Sequence, residues 1–185
     1  PSALAWGVTT GLVAVDDSAH TVPWIVKSGV AGVQPSIADL DGDGLETLGL
    51  TGSAVRFDLN DDGLSERCGW LAPDDALLAW DRDGDGAIRN GAELFGEATP
   101  LPDGRLAAHG FAALAALDDN RDGRVDSADP AWRSLGLWRD RDSNASLDPG
   151  EWSSLSEAGI TALDLLARPG SGFDPLGNDH RLEGS

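Results

Sequence analysis

Two acidic stretches constrain this chain more than any other feature. One is opened by Asp118 and closed by Asp129, with Asn120, Asp122, Gly123, Arg124 and Asp126 between them; the other is opened by Asp140 and closed by Glu151, with Asp142, Asn144, Ala145, Ser146 and Asp148 between. In each, oxygen-bearing side chains recur at alternate positions and an acid stands twelfth. So many carboxylates in one run cannot enter a core, and they repel one another unless something positive sits among them. A hard divalent cation wants about six to eight oxygens at roughly 2.3–2.6 Å, and a coiled loop with a donor at every second residue can supply them.

The spacing is that of the twelve-residue EF-hand loop, which makes Ca2+ the expected ion. In the first stretch Asp118, Asn120 and Asp122 offer side-chain oxygens, Arg124 a backbone carbonyl, Asp126 a ligand or water anchor, and Asp129 the closing carboxylate. Gly123 makes the sharp turn, where positive φ is cheap only without a Cβ. Val125 stands at the inward eighth position, placed to pair with Leu147 of the other loop. The second stretch offers Asp140, Asp142, Asn144, Ser146, Asp148 and Glu151. Its departure is Ala145, since a residue with a Cβ at positive φ costs on the order of 1 kcal/mol. The spacing predicts a helix over 110–117 entering the first loop, a second over 131–138 started by Pro130, and a third over 151–157 stopping near Gly159.

Three more acidic loops come earlier. Asp39, Asp41, Asp43 and Glu46 form one; Asp58, Asn60, Asp62 and Glu66 form the next; neither has an acid twelfth. In the third, Asp81, Asp83 and Asp85 precede the backbone carbonyl of Ala87 and an inward Ile88, and Glu93 arrives one residue late, so a loop extended by one residue would deliver it. A single Asp-rich turn needs no metal, because Asp, Asn and Gly favour turns in any case. Five such loops with this spacing are better explained by about three to five bound ions.

Composition agrees. The formal charge is -19, and 25 Asp against 7 Glu favours coordinating loops over solvated helix faces. Such acidity excludes nucleic acid and anionic membranes as partners, since phosphate binding needs clustered Lys and Arg. Cys68 stands alone, so no internal disulfide forms and the ions would do the stapling. It reads as a packed small residue, not a nucleophile. His20, His109 and His180 are scattered and suggest no zinc site. No apolar run approaches a membrane span and no signal peptide is evident. The chain has no Met, and the expectation is a piece of a larger parent polypeptide.

Residues 1–34 read as a separate lead-in. Short Val-containing runs at 12–15 and 22–26 favour strand, with Pro23 making the second at best an edge. Residues 35–168 form the main module, and 169–185 a Gly-rich C-terminal tail. The expected class is α+β, a compact calcium-loaded domain with strands near 54–57, 77–80 and 160–165 and short helices around the loops.

Several strings carry a family resemblance. Pro35 with Ser36, Ile37, Ala38 and Asp39; Gly69 to Pro73 followed by Asp74 and Asp75; Asn90-Gly91-Ala92-Glu93-Leu94-Phe95-Gly96; Gly110 and Phe111; and Leu137 to Asp140 together resemble the self-processing module of repeat-in-toxin (RTX) proteins, over about residues 35–166. The resemblance implies a secreted or cell-surface bacterial protein whose module folds on binding calcium. It also implies autocatalytic cleavage of an Asp–Pro bond at the leading edge and joining of the freed Asp to a Lys amine on another chain. This sequence departs from that pattern at the junction, which here is Gln34–Pro35, and a Gln side chain cannot act as the attacking carboxylate. Asp129–Pro130, Asp148–Pro149 and Asp174–Pro175 are the other Asp–Pro bonds, the first two committed to loops.

Three functions are therefore expected of this chain, in order: a calcium-dependent folding module of an exported protein; an Asp–Pro processing and ligation module, inactive or trapped by Gln34; and a dockerin-like binding module, suggested by Asp118 and Asp140 opening paired loops.

Overall fold

The structure, a computed structural model, describes residues 35–40, 46–49, 52–173 and 179–183. At its centre β1 (Ile37–Ala38), β6 (Ala76–Trp80), β8 (Leu135–Trp138) and β9 (Trp152–Ser154) line up in that order as one antiparallel sheet. The register places Ile37 opposite Leu77, Leu77 opposite Trp138, and Trp138 opposite Trp152. Four antiparallel pairs surround it. They are β2 (Thr47–Leu48) with β5 (Trp70–Leu71), β3 (Arg56–Phe57) with β4 (Glu66–Arg67), β7 (Arg124–Asp126) with β10 (Ala162–Asp164), and β11 (Arg168–Phe173) with β12 (Asp179–Glu183).

Side chains on a strand alternate between faces, and here both faces of the sheet are covered. Ala76, Leu78, Leu135 and Leu137 join one buried cluster, with Phe111 and Leu114 from α1 (Gly110–Ala115), Val125, Trp132 and Leu163. Leu77, Ala79 and Trp138 point the other way, into a cluster with Phe57, Leu59, Trp70, Ile88 and Leu94. On that face Phe57, Trp70 and Trp138 form an aromatic triangle with ring centroids 5.5–5.8 Å apart. Gly136 is the residue of β8 that must lack a side chain, because a Cβ there would lie 2.1 Å from the Trp152 ring.

The class is mixed, with short strands in small sheets and few helical turns, which agrees with α+β at that coarse level. The expected strands near 54–57, 77–80 and 160–165 coincide with β3, β6 and β10. Two expected helices are corrected. Residues 131–138 begin as a 3-10 helix, Pro130–Ser134, and then run out as β8, because the string Leu-Gly-Leu-Trp is apolar on both faces and fills a central strand. Residues 152–154 of the third expected helix form the edge strand β9, followed by a turn ending at Gly159 with φ +81°. The inward pairing of Val125 with Leu147 is also replaced. Val125 lies opposite Leu163 across β7 and β10, while Leu147 packs against the other face of the sheet. In the C-terminal stretch Arg168–Phe173 and Asp179–Glu183 pair as β11 and β12. The lead-in 1–34, Gln34 included, lies outside the described residues. No helix among the described residues is long and apolar enough to cross a membrane.

Candidate metal centres

Four acidic loops can be followed through the structure, opened by Asp58, Asp81, Asp118 and Asp140, and they share one backbone design. The opening carboxylate accepts the amides of the fifth and sixth residues. Asp58 takes Asp62 and Gly63 at 3.1 and 2.8 Å; Asp81 takes Asp85 and Gly86 at 3.2 and 2.9 Å. Asp118 takes Asp122 and Gly123 at 3.2 and 3.0 Å; Asp140 takes Asn144 and Ala145 at 3.1 and 2.8 Å. The fifth side chain then accepts the seventh amide: Asp62 from Leu64, Asp85 from Ala87, Asp122 from Arg124 and Asn144 from Ser146. Each loop is thereby coiled by its own carboxylates, with the oxygens directed inward.

The coil needs positive φ at two places. The sixth residue has it in every case: Gly63 +86°, Gly86 +79°, Gly123 +88° and Ala145 +58°. So does the fourth: Asp61 +57°, Gly84 +73°, Arg121 +59° and Ser143 +57°. Sequence reasoning found the sixth position through its glycines and missed the fourth, where three loops carry residues with a Cβ that rarely adopt this conformation.

Closure is equally regular. Asp129 accepts the amides of Asp119 and Asp126 at 2.9 and 3.0 Å, and Glu151 those of Arg141 and Asp148 at 2.7 and 3.1 Å. These are the second and ninth residues of each loop, so the shorter Asp and the longer Glu do the same work. In the third loop Glu93, one residue late, accepts the amide of Arg89, again the ninth, at 2.7 Å, and that of Arg82, the second. The loop opened by Asp58 has no acid at that place, and its Glu66 stands on β4 opposite Phe57.

Among the described residues, two clusters bring three carboxylates within 4.8 Å of one another: Asp81 with Asp83 and Asp85, and Asp140 with Asp142 and Glu151. In the second, Asp140 and Glu151 are buried. Burial pushes the Asp140 carboxyl above the ordinary carboxylate range against the pull of its hydrogen bonds, among them one from Trp70, and burial does the same to Glu93. A divalent cation at these clusters would offset the repulsion that crowding like charges creates. Ser146, Arg124 and Ala87 stand at the seventh positions, where a backbone carbonyl would be the donor to an ion. Asp126 caps the amide of Ala128, and Asp148 accepts from the Asn144 amide group.

The earliest loop is described at its ends alone. Asp39 is buried just after β1 and Glu46 precedes β2, while Asp41 and Asp43 lie outside the described residues. Asp75 meets this loop unannounced by its spacing. Its carboxylate, almost wholly buried, accepts the Glu46 amide at 2.9 Å, and burial together with the charges of Asp39, Asp74 and Glu46 holds its pKa at about 8.

Residues 37–185 match the profile of the SPM domain family. The chain belongs to the SPM domain family. A curated relative, the iron-regulated protein FrpA of Neisseria meningitidis serogroup C, is 46% identical over 132 residues, 71% of this chain. The chain spans 12% of that protein's length. The SPM match extends past the resemblance read from motifs, taking in the hairpin of β11 and β12.

Proposed function

We propose that this SPM domain is a calcium-dependent folding module within a larger exported, RTX-type protein. The observation that carries the reading is the common design of the four loops, each wound by its own carboxylates, three of them closed by an acid at the second and ninth amides. Asp81, Asp83, Asp85 and Glu93; Asp118, Asn120, Asp122 and Asp129; and Asp140, Asp142, Asn144 and Glu151 would hold the ions. When bound, calcium supplies positive charge that lets buried carboxylates stay ionised and close together. Each ion cancels two of the 19 net negative charges, and its binding energy becomes folding energy.

The setting follows from affinity. Loops of the extracellular kind, with dissociation constants of about 10⁻⁴–10⁻³ M, stay empty in a cytosol poor in calcium and fill outside. Self-repulsion then keeps the chain open before export, and folding follows arrival. Native mass spectrometry of the whole chain tests this reading. It predicts about three to five calcium ions, with one lost in Asp81→Asn and one in Asp140→Asn. A chain that takes up no calcium at millimolar concentration would refute it.

A second reading is favoured by the burial of Pro35 and Ser36 immediately before β1, the residues that directly follow the Gln34–Pro35 bond in sequence. With Asp in place of Gln34, the side-chain carboxylate would attack its own peptide carbonyl. A C–O bond forms, the C–N bond to Pro35 breaks, and the proline nitrogen leaves with a proton, giving a cyclic anhydride open to water or a Lys amine. Gln34→Asp in saturating calcium is expected to release a fragment beginning at Pro35 on a denaturing gel. An uncut chain overturns this reading and leaves the first intact. A dockerin-like pairing of the loops opened by Asp118 and Asp140 has less support, because Val125 and Leu147 face opposite sides of the central sheet.

A further inference from the structure

The string 90–96 occupies an unusual place, since successive residues are each held by a different part of the molecule. Asn90 bridges Asp58 in parallel fashion, and the Gly91 amide donates to the Asp58 carbonyl at 2.8 Å. Gly91 has no room for a side chain, because a Cβ would fall 1.9 Å from the Leu59 carbonyl oxygen. Glu93 closes the third acidic loop. Leu94 bridges Ala79 of the central sheet, and the Phe95 carbonyl accepts the Ser36 hydroxyl at 2.6 Å. The end is fixed by Thr99, whose hydroxyl donates to Leu94 and accepts from Gly96 at 2.6 and 2.8 Å.

Ser36 in turn defines the leading edge. It is fully buried, its carbonyl accepts the Leu78 amide at 2.9 Å, and β1 begins at the next residue. Glu93, Leu94 and Phe95 are consecutive, so the closing acid of a loop and the anchor of the junction lie within three residues of taut, buried backbone. Moving one without the other would require breaking the Leu94 bridge or the Thr99 clamp.

We propose that the string 90–96 couples cation occupancy of the third acidic loop to the position of the leading edge, with Ser36 as the positioning residue that receives it. The proposal rests on the calcium reading above and adds which loop governs the junction. Closing of Glu93 around an ion fixes Leu94 and Phe95; the Ser36 hydroxyl, donating to the Phe95 carbonyl, then keeps the Ser36 carbonyl in place for the Leu78 amide of β6. The loops closed by Asp129 and Glu151 meet the fold elsewhere: Asp126 lies on β7 opposite Ala162, and Asp140 comes two residues after β8.

The test is residue-resolved amide hydrogen exchange by NMR on the whole chain, with and without calcium. In the unaltered protein calcium is expected to slow exchange at Arg89, Leu78, Arg141 and Asp148. In Glu93→Gln the gain at Leu78 should fall at least tenfold while Arg141 and Asp148 keep theirs. In Ser36→Ala the gain at Arg89 should persist while that at Leu78 falls. Retention of the Leu78 gain in either variant overturns the coupling, as does loss of every gain in both, which would mean one undivided folding unit. Absence of any calcium effect in the unaltered protein would instead overturn the underlying calcium reading.

Discussion

The indole N–H of Trp70 donates to Oδ2 of Asp140 at 2.6 Å, across 70 positions of sequence. Both residues are fully buried. The bond joins the aromatic triangle of the core to the opening carboxylate of the acidic loop 140–151, so core packing and loop geometry are one structure at this point. It is also one of the hydrogen bonds that pull the Asp140 carboxyl down against the upward push of burial.

Replacing Trp70 by Phe keeps most of the packing and deletes that donor. Leaving a buried carboxylate short of a partner costs roughly 1–3 kcal/mol. Urea unfolding followed by circular dichroism in saturating calcium is expected to show a loss in that range. A loss below about 0.5 kcal/mol would place the bond among the energetically idle ones.

Ala145 and Gly123 hold equivalent positions, at φ +58° and +88°. The left-handed region costs a residue with a Cβ roughly 1–2 kcal/mol, partly offset in Gly by its greater freedom when unfolded. Ala145→Gly is therefore expected to raise stability by up to about 1 kcal/mol. Gly123→Ala should lower it by a similar amount, and since a Cβ there meets nothing within 4 Å the effect is one of backbone alone. Paired denaturation curves check both signs.

Two other glycines are required by contact. A Cβ at Gly91 strikes the Leu59 backbone oxygen at 1.9 Å, while one at Gly136 strikes the Trp152 ring at 2.1 Å. A side chain yields more readily than backbone. Overpacking costs typically about 1–3 kcal/mol, so Gly136→Ala is expected within that range and Gly91→Ala at or above its top. Equal or reversed losses in urea midpoints would contradict the packing described.

Cys68 is fully buried, and burial raises its thiol to about 12. Above its unfolded value of 9.0 the unfolded chain releases this proton while the folded chain keeps it, so the stability it contributes is intact below pH 9 and is lost as pH rises toward 12. At pH 8 a thiol reagent should modify Cys68 only after unfolding. Prompt labelling of the folded, calcium-loaded chain would show an open path to the sulfur.

The loops were legible because their chemistry is local. Alternating carboxylates and the glycines at 63, 86 and 123 announce a coil within twelve residues. The positive φ of Asp61, Arg121 and Ser143 was not legible, since nothing in those residue types asks for it; the coil imposes it. The helix expected over 131–138 gives way to a strand for a different reason. Leu135 and Leu137 face one cluster and Trp138 the other, and an apolar run buried on both faces has no period to separate strand from helix. The Trp70–Asp140 bond and the approach of Asp75 to Glu46 depend on the fold and leave no mark in spacing.

The measurement that tests the central claim most directly is a calcium titration of the whole chain from a chelated state, following far-ultraviolet circular dichroism and tryptophan fluorescence together. The account predicts one cooperative gain of structure between micromolar and millimolar calcium, with the fluorescence of the buried Trp70 and Trp138 changing in step. Full structure in chelator, unchanged as calcium is added, would contradict it and leave the acidic loops as ordinary turns.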